Sequence, residues 1–144
     1  MKNKICLVAW MLLLFCILPK QVFSSTGVIG VAAGAGHSCI LKSDEAICFG
    51  NNFYGQAKSI NGFKNARQIV SGSSHNCVID DDGLWCWGRS DSGQTDVPAG
   101  LKEVKTIAAG GDHTCALDSG GVKCWGENYS GQTNVPANLK DIKA

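Results

Sequence analysis

Proline is scarce in this 144-residue chain, with three residues in all, and the sequence has no basic block, no long amphipathic helical pattern and no low-complexity tail. Each shortage excludes something. A nucleic-acid partner asks for clustered Lys and Arg to exchange for counterions, so neither DNA nor RNA binding is expected. Nothing repeats at the 3.6-residue period over the length of a packed helix, which leaves strands to build the fold. Signatures of catalysis are missing as well: there is no Ser-His-Asp arrangement, no nucleophile elbow and no phosphate loop. No enzymatic activity, catalytic residue or cofactor is therefore expected. Glycine, by contrast, is abundant at 18 residues, and turn residues are spread evenly. Many short strands joined by tight turns, in one domain, suit that composition.

The long apolar run lies at the start. Lys2 and Lys4 precede Ile5 to Leu18, Pro19-Lys20-Gln21 follows, and Ser24 and Ser25 supply small residues. A basic start, an apolar centre and a small-residue exit make a secretory signal peptide over residues 1–24, with cleavage after Ser24. An uncleaved anchor is the alternative, but a helix of that run reaches only about 21 Å against a hydrocarbon core of roughly 30 Å. A lipoprotein reading through Cys16 fails, because Leu14 and Phe15 are too bulky and Cys16 lies inside the run. A secreted or periplasmic location, with no membrane contact after cleavage, is expected. Lys2, Lys4 and Lys20 leave with the leader, so 10 basic residues face 12 acidic ones and the net charge falls near −2.

The remaining chain repeats with a period of 38 residues and no insertion, as residues 31–68, 69–106 and 107–144. A fixed period of that size marks a repeat architecture. Each copy opens on a small apolar segment closing in Gly: Val31-Ala32-Ala33-Gly34, Ile69-Val70-Ser71-Gly72 and Ile107-Ala108-Ala109-Gly110. His and Cys follow as His37 and Cys39, His75 and Cys77, His113 and Cys115. After a polar turn come Cys48-Phe49-Gly50, Cys86-Trp87-Gly88 and Cys124-Trp125-Gly126, and then Gly55-Gln56, Gly93-Gln94 and Gly131-Gln132.

The second and third apolar runs of a copy read as an antiparallel hairpin around a four-residue loop. Pairing outward places Ile79 opposite Leu84, Val78 opposite Trp85 and Cys77 opposite Cys86. Apolar side chains on both faces call for cover on both, which a sheet stacked between two similar sheets receives. The segments ending at Pro98 and Pro136 suit a fourth strand at an outer edge, where Pro need not donate to a ladder. Four short strands per repeat make a propeller blade.

The pattern Ala-Ala-Gly-x-x-His-x-Cys-Ala-Leu, then Cys-Trp-Gly-x-Asn-x-x-Gly-Gln, is complete at residues 108–117 and 124–132. It resembles the repeat of the regulator of chromosome condensation (RCC1) family over essentially the whole mature chain. The Gly-Gln-Thr-x-Val-Pro ending is more similar to secreted bacterial members, such as the propeller-type β-lactamase inhibitory protein, than to the nuclear exchange factor. The resemblance implies blades of a seven-bladed propeller. The first copy departs most, with Phe49 for Trp and Ala57-Lys58-Ser59-Ile60 for Thr-x-Val-Pro. The fold expected is all-β: three blades of four short antiparallel strands, forming an incomplete or open propeller after the signal peptide. Closed propellers need about 4 to 8 blades. Three blades read as a fragment of a longer product, an open arc, or copies that complete a ring by self-assembly, and the absence of a capping copy favours the fragment.

Six cysteines remain once Cys6 and Cys16 leave with the leader. The hairpin register pairs Cys39 with Cys48, Cys77 with Cys86, and Cys115 with Cys124. Opposite residues at a non-hydrogen-bonded site lie about 4.5 Å apart at Cα, within reach of a disulfide, and an exported chain meets an oxidising compartment. The alternative is Cys as a small, reduced core residue.

His-x-Cys invites a zinc reading, but zinc takes about four convergent ligands, and blades spread equivalent positions around a ring. A buried His bonding a neighbouring backbone group is expected instead, and no metal site is assigned. Asp80-Asp81-Asp82-Gly83 loses its calcium-loop spacing in the other copies and reads as a solvated turn. Variation concentrates after Cys-aromatic-Gly, in Asn51-Asn52-Phe53-Tyr54, Arg89-Ser90-Asp91-Ser92 and Glu127-Asn128-Tyr129-Ser130. A constant frame around a variable loop is how a scaffold displays a recognition surface. Asn52, Phe53, Tyr54, Arg89, Asp91, Glu127, Asn128 and Tyr129 are the expected contacts with a protein partner of unknown identity; ordinary solvated turns are the alternative. The function expected is a secreted, non-enzymatic protein-binding module. Alternatives are an exchange-factor-like regulator of a small GTPase delivered to a host, and a propeller hydrolase or lyase.

Overall fold

The computed structural model describes residues 27–137 and Leu139; the expected leader, residues 1–24, lies outside them, as does most of the end of the third copy. Among the described residues there are ten strands and no helix. They run β1 Gly30–Ala33, β2 His37–Leu41, β3 Glu45–Gly50, β4 Ile60–Asn61, β5 Gln68–Ser71, β6 His75–Asp80, β7 Gly83–Gly88, β8 Thr106–Ala109, β9 His113–Asp118 and β10 Gly121–Gly126. Each repeat makes one antiparallel sheet, ordered β1-β2-β3-β4, β5-β6-β7 and β8-β9-β10. The first strand of each sheet packs against the first strand of the next, β1 on β5 and β5 on β8. The three sheets stack as consecutive blades of an open arc.

The hairpins hold the register that the turn spacing predicts: Cys77 opposite Cys86, Val78 opposite Trp85 and Ile79 opposite Leu84. The turns are tighter than expected in the second and third blades. Asp80 pairs with Gly83, and Asp118 with Gly121, leaving two residues at each tip. Gly83 and Gly121 take φ values of +132° and +118° there, which a residue with a Cβ rarely adopts. The expected fourth strand forms only in the first blade, where Ile60 pairs with Ala46. Pro98 and Pro136 stand at the phase of Ile60 and have no N–H to give a ladder. The second and third blades therefore have three strands among the described residues.

Burial follows stacking. In β6 all six residues are buried, because the middle blade is covered on both faces. In β2 only His37, Cys39 and Leu41, which point at the second blade, are buried. Cys39, Leu41, Ala46, Cys48, Phe63 and Ala66 of the first blade pack on Ile69, Val78 and Trp87 of the second. Cys77 and Ile79 pack in turn on Ile107, Ala116 and Trp125 of the third. Disulfides join Cys39 to Cys48, Cys77 to Cys86 and Cys115 to Cys124, each across a hairpin at a Cα separation of 4.1 Å.

Candidate functional site

The blades are joined by polar side chains as well as by apolar ones. His37 Nε2 lies 2.8 Å from Asn76 Oδ1 of the next blade, and His75 Nε2 lies 2.9 Å from Thr114 Oγ1. The acceptors hold in place through further bonds: Asn76 Nδ2 donates to Gln56 O at 2.7 Å, and Thr114 Oγ1 donates to Gln94 O at 2.9 Å. Since the Thr114 hydroxyl spends its proton on Gln94, it accepts from His75, whose Nε2 carries the hydrogen. The histidines thus bond side chains of the following blade where a neighbouring backbone group was expected. The sequence does hold a signal for it: the residue after His is Ser38, Asn76 or Thr114, an oxygen-bearing side chain in every copy.

The loops after β3, β7 and β10 share one frame. Gly50, Gly88 and Gly126 turn the chain at φ between +104° and +108°. The next N–H, of Asn51, Arg89 or Glu127, then bonds the carbonyl of Gly36, Ser74 or Asp112 at 2.8 to 2.9 Å. The Gln of Gly-Gln reaches back into the loop: Gln56, Gln94 and Gln132 accept from the N–H of Tyr54, Ser92 and Ser130. Their amide nitrogens donate to Asn51, Asp112 and Glu127. Rigid loops on one face are the result.

The structure divides the expected contact residues. Asn52 Oδ1 accepts from Ala57 N, and Asn128 Oδ1 accepts from Thr133 N while its Nδ2 donates to Asn134. These two amides brace their own loops. Glu127 is tied to Gln132 in the same way. Phe53 and Tyr129 stand out, at 83% and 94% exposed. Phe53 meets Tyr54 edge-on at 4.8 Å, and the Arg89 guanidinium lies over the Tyr54 ring at 5.3 Å. Arg89 is aimed by Asp91, 2.8 Å from its Nε, and by Asp112, 3.6 Å from its Nη1. Phe53, Tyr54, Arg89 and Asp91 therefore form one continuous patch. It flanks a cleft of about 360 Å³ floored by Ala35, Gly36, Ser73 and Ser74.

The family model of the regulator of chromosome condensation (RCC1) repeat matches residues 28–56, 66–94 and 104–132, more than half of the chain. The chain belongs to the RCC1 repeat family. No curated protein matches it in sequence. Among solved structures it is similar to the ectodomain of the Physcomitrella patens receptor kinase CR4, at 29% identity and a TM-score of 0.64, over 77% of this chain and 33% of that one. It is also similar to Prp20p of Saccharomyces cerevisiae, at 26% identity and a TM-score of 0.60, over 79% of this chain and 34% of that one. That structure is described together with the binding of Prp20p to Gsp1p and histones. Human WBSCR16, at 24% identity and a TM-score of 0.63 over 71% of this chain and 34% of its own, shares the fold. The chain spans about a third of the length of these structures.

On the opposite rim of the RCC1 repeats, one carboxylate per junction pins the connection between blades. Asp80 accepts from Lys64 N, Asp82 N, Gly83 N and Trp85 Nε1, at 2.9 to 3.0 Å. Burial alone would raise its pKa, and those four N–H groups outweigh it and hold the carboxyl below the ordinary range. Asp81 and Asp82 turn away to the Arg67 guanidinium and the Lys64 ammonium, so neither carboxylate shares the N–H groups that hold Asp80. Asp118 occupies the same place one blade on, held down to about 2 by the Lys102 N–H and then by the Lys123 ammonium, 3.0 Å away.

A carboxyl lowered in the fold contributes stability above its unfolded value, which drains as pH falls towards the folded one. Asp118→Asn is expected to flatten the loss of stability between the ordinary carboxyl value of 3.8 and about 2. His75, lowered chiefly by burial, is expected to give a separate loss that begins as pH falls below the ordinary histidine value of 6.5 and that this variant leaves in place. Urea melts across pH measure both, and an unchanged lower limb in the variant removes Asp118 as its source.

Proposed function

We propose that this chain is a secreted, non-enzymatic protein-binding module, similar in kind to the secreted bacterial RCC1-like inhibitors, that grips its partner with the loop face. One observation carries the reading: the Gly and Gln of every copy are spent on fixing the loops, while Phe53, Tyr54 and Tyr129 are presented to solvent on them. Aromatic residues on a rigid frame lose little conformational freedom on binding and supply most of the energy in interfaces of this kind. The Arg89 guanidinium, aimed by Asp91 and Asp112, adds a directed donor at the edge of the patch. Three disulfides and the leader-like start favour an oxidising compartment.

The paired variant Phe53→Ala, Tyr54→Ala is the test. The mature chain is used to capture proteins from its native compartment, and the captured protein is then titrated against both forms. Affinity is expected to fall by about thirtyfold or more, the scale of losing a binding hot spot. Stability should stay within about 0.5 kcal/mol, since both side chains are on the surface. Equal affinity in the two forms removes the loop face from the interface. A second reading, an exchange-factor-like regulator of a small GTPase, draws on the likeness to Prp20p. A small GTPase as the sole partner, with nucleotide release accelerated by the chain, establishes that reading in place of the first.

A further inference from the structure

The loop face carries a charge as well as a shape. Residues 34–36, 51–59, 72–74, 89–97, 110–112 and 127–135 make it up, and in them Lys58 and Arg89 stand against Asp91, Asp96, Asp112 and Glu127. Two positive charges against four negative ones leave the face acidic. At the aromatic patch the balance has the same sign. Arg89 is the cation there, and its charge is answered by two carboxylates, Asp91 and Asp112. The Asp91 side chain is 61% exposed.

The patch also displays what its rings accept. The Arg89 guanidinium lies over the Tyr54 ring at 5.3 Å, the arrangement in which a cation meets the negative face of an aromatic. Phe53 touches Tyr54 edge-on and stands in solvent, so its ring offers the same attraction uncovered. Beside the two rings, the cleft of about 360 Å³ has room for a long side chain. The hydroxyls of Ser73 and Ser74 line its floor and have no hydrogen-bond partner among the described residues.

The cleft lies at an internal junction, between the first blade and the second. Asp91 stands at the phase of Phe53 in the middle blade and is exposed with a blade on either side. A blade stacked before the first would therefore leave Phe53 open too.

We propose, building on the loop-face reading above, that the partner it grips is basic. A Lys or Arg side chain of the partner enters the cleft, its aliphatic stem against Phe53 and Tyr54 and its charge offset by Asp91 and Asp112. Such a head group has donors and no acceptor, and the Ser73 and Ser74 oxygens take hydrogens from it. An acidic side chain in the same place would face two carboxylates with one guanidinium between them, and like charges across an interface reject a partner.

The probe is the peptide Lys-Arg-Lys-Arg, titrated into the oxidised, isotope-labelled mature chain and followed through the backbone amide resonances, with Glu-Asp-Glu-Asp as the control. The basic peptide is expected to shift the amides of Tyr54, Ser73 and Ser74 to saturation, more weakly as salt is added. The acidic peptide is expected to leave them in place. Phe53→Ala is expected to weaken the basic peptide by about two- to fivefold, the worth of an exposed cation–π contact. Asp91→Asn together with Asp112→Asn keeps oxygens facing Arg89 and removes two charges, and is expected to weaken it by about tenfold, within the worth of two exposed ion pairs. Intact disulfides and a dispersed amide spectrum show that each variant has folded. Amides that the basic peptide does not move, amides that the acidic peptide moves as far, or binding that neither variant weakens overturns the proposal. The loop-face reading is judged apart from it, by the captured protein. A captured protein that loses affinity with Phe53→Ala, Tyr54→Ala while the basic peptide stays unbound keeps the loop face and removes the basic partner. A basic peptide seated in the cleft, with a captured protein indifferent to that pair, supports the cleft as a site for basic side chains and takes only the captured protein away from it.

Discussion

Gly88→Ala is expected to cost about 2–6 kcal/mol, as a φ strain of about 1–3 kcal/mol plus an overpacking cost of about 1–3 kcal/mol. The residue turns the chain at φ +108°, and a Cβ there would come 2.5 Å from Ser74 O and 2.8 Å from His75 Cα. Both neighbours are backbone, so neither can swing aside. The Ser74 carbonyl is also the acceptor for Arg89 N, and moving it releases the loop that presents Arg89. Gly62→Ala is the control. Its φ is +93°, yet nothing lies within 4 Å of the added atom, so it carries the strain without the clash and is expected to cost about 1–2 kcal/mol. Denaturant melts of the two variants separate the effects. Equal losses at Gly88 and Gly62 mean that the loop yields and that the frame is softer than its hydrogen bonds imply. A cost of this size matters because a whole domain has only about 5–15 kcal/mol in reserve.

Replacing Cys77 and Cys86 together by Ala is expected to cost about 2.5–3 kcal/mol from loop closure alone. The bridge spans a sequence separation of 9, as do the other two, so loop length does not distinguish them. Position does. Cys77 is fully buried between the second and third blades, while Cys115 faces the open side of the third. Cys39 is just as buried, against the second blade, so loss of the first or the central bridge adds a packing defect to the entropic cost, and the variant of the third bridge is expected to melt highest of the three. Urea midpoints for each paired variant test the order. Six free thiols found by mass spectrometry in protein taken from its native compartment would show that the bridges do not form there.

Much of this was legible in the residues. The period of 38 set the blade count, and the short polar turns between apolar runs set the hairpin register, because a turn of known length leaves one pairing that keeps Cys opposite Cys. What escaped was whatever depended on a neighbouring blade. The bond from His75 to Thr114 spans 39 residues, and when both faces of a strand are apolar, alternation does not say which face meets which neighbour. The missing fourth strands turned on a single substitution, Ile60 against Pro98 and Pro136, at a position where Pro is compatible with an edge and yet does not pair. In the loops, Asn52 and Asn128 have the composition of recognition residues and the job of turn braces. Asn serves both ends with the same amide, and only the positions of Ala57 N and Thr133 N separate them.

The polar bond between blades has one more consequence. His37 finds an amide oxygen in Asn76, and His75 finds a hydroxyl in Thr114, so a single kind of donor is served by more than one kind of acceptor. The polar bond alone would not stop the first blade from pairing with the third. What prevents it is the tether: residues 62–67 lead from β4 to β5 in a few steps, and the N–H groups of Gly62, Phe63 and Ala66 are fastened to Asp44 and Ser43 of the first hairpin. The order of the blades is thus written in the connections, and the polar bond between blades does not specify it.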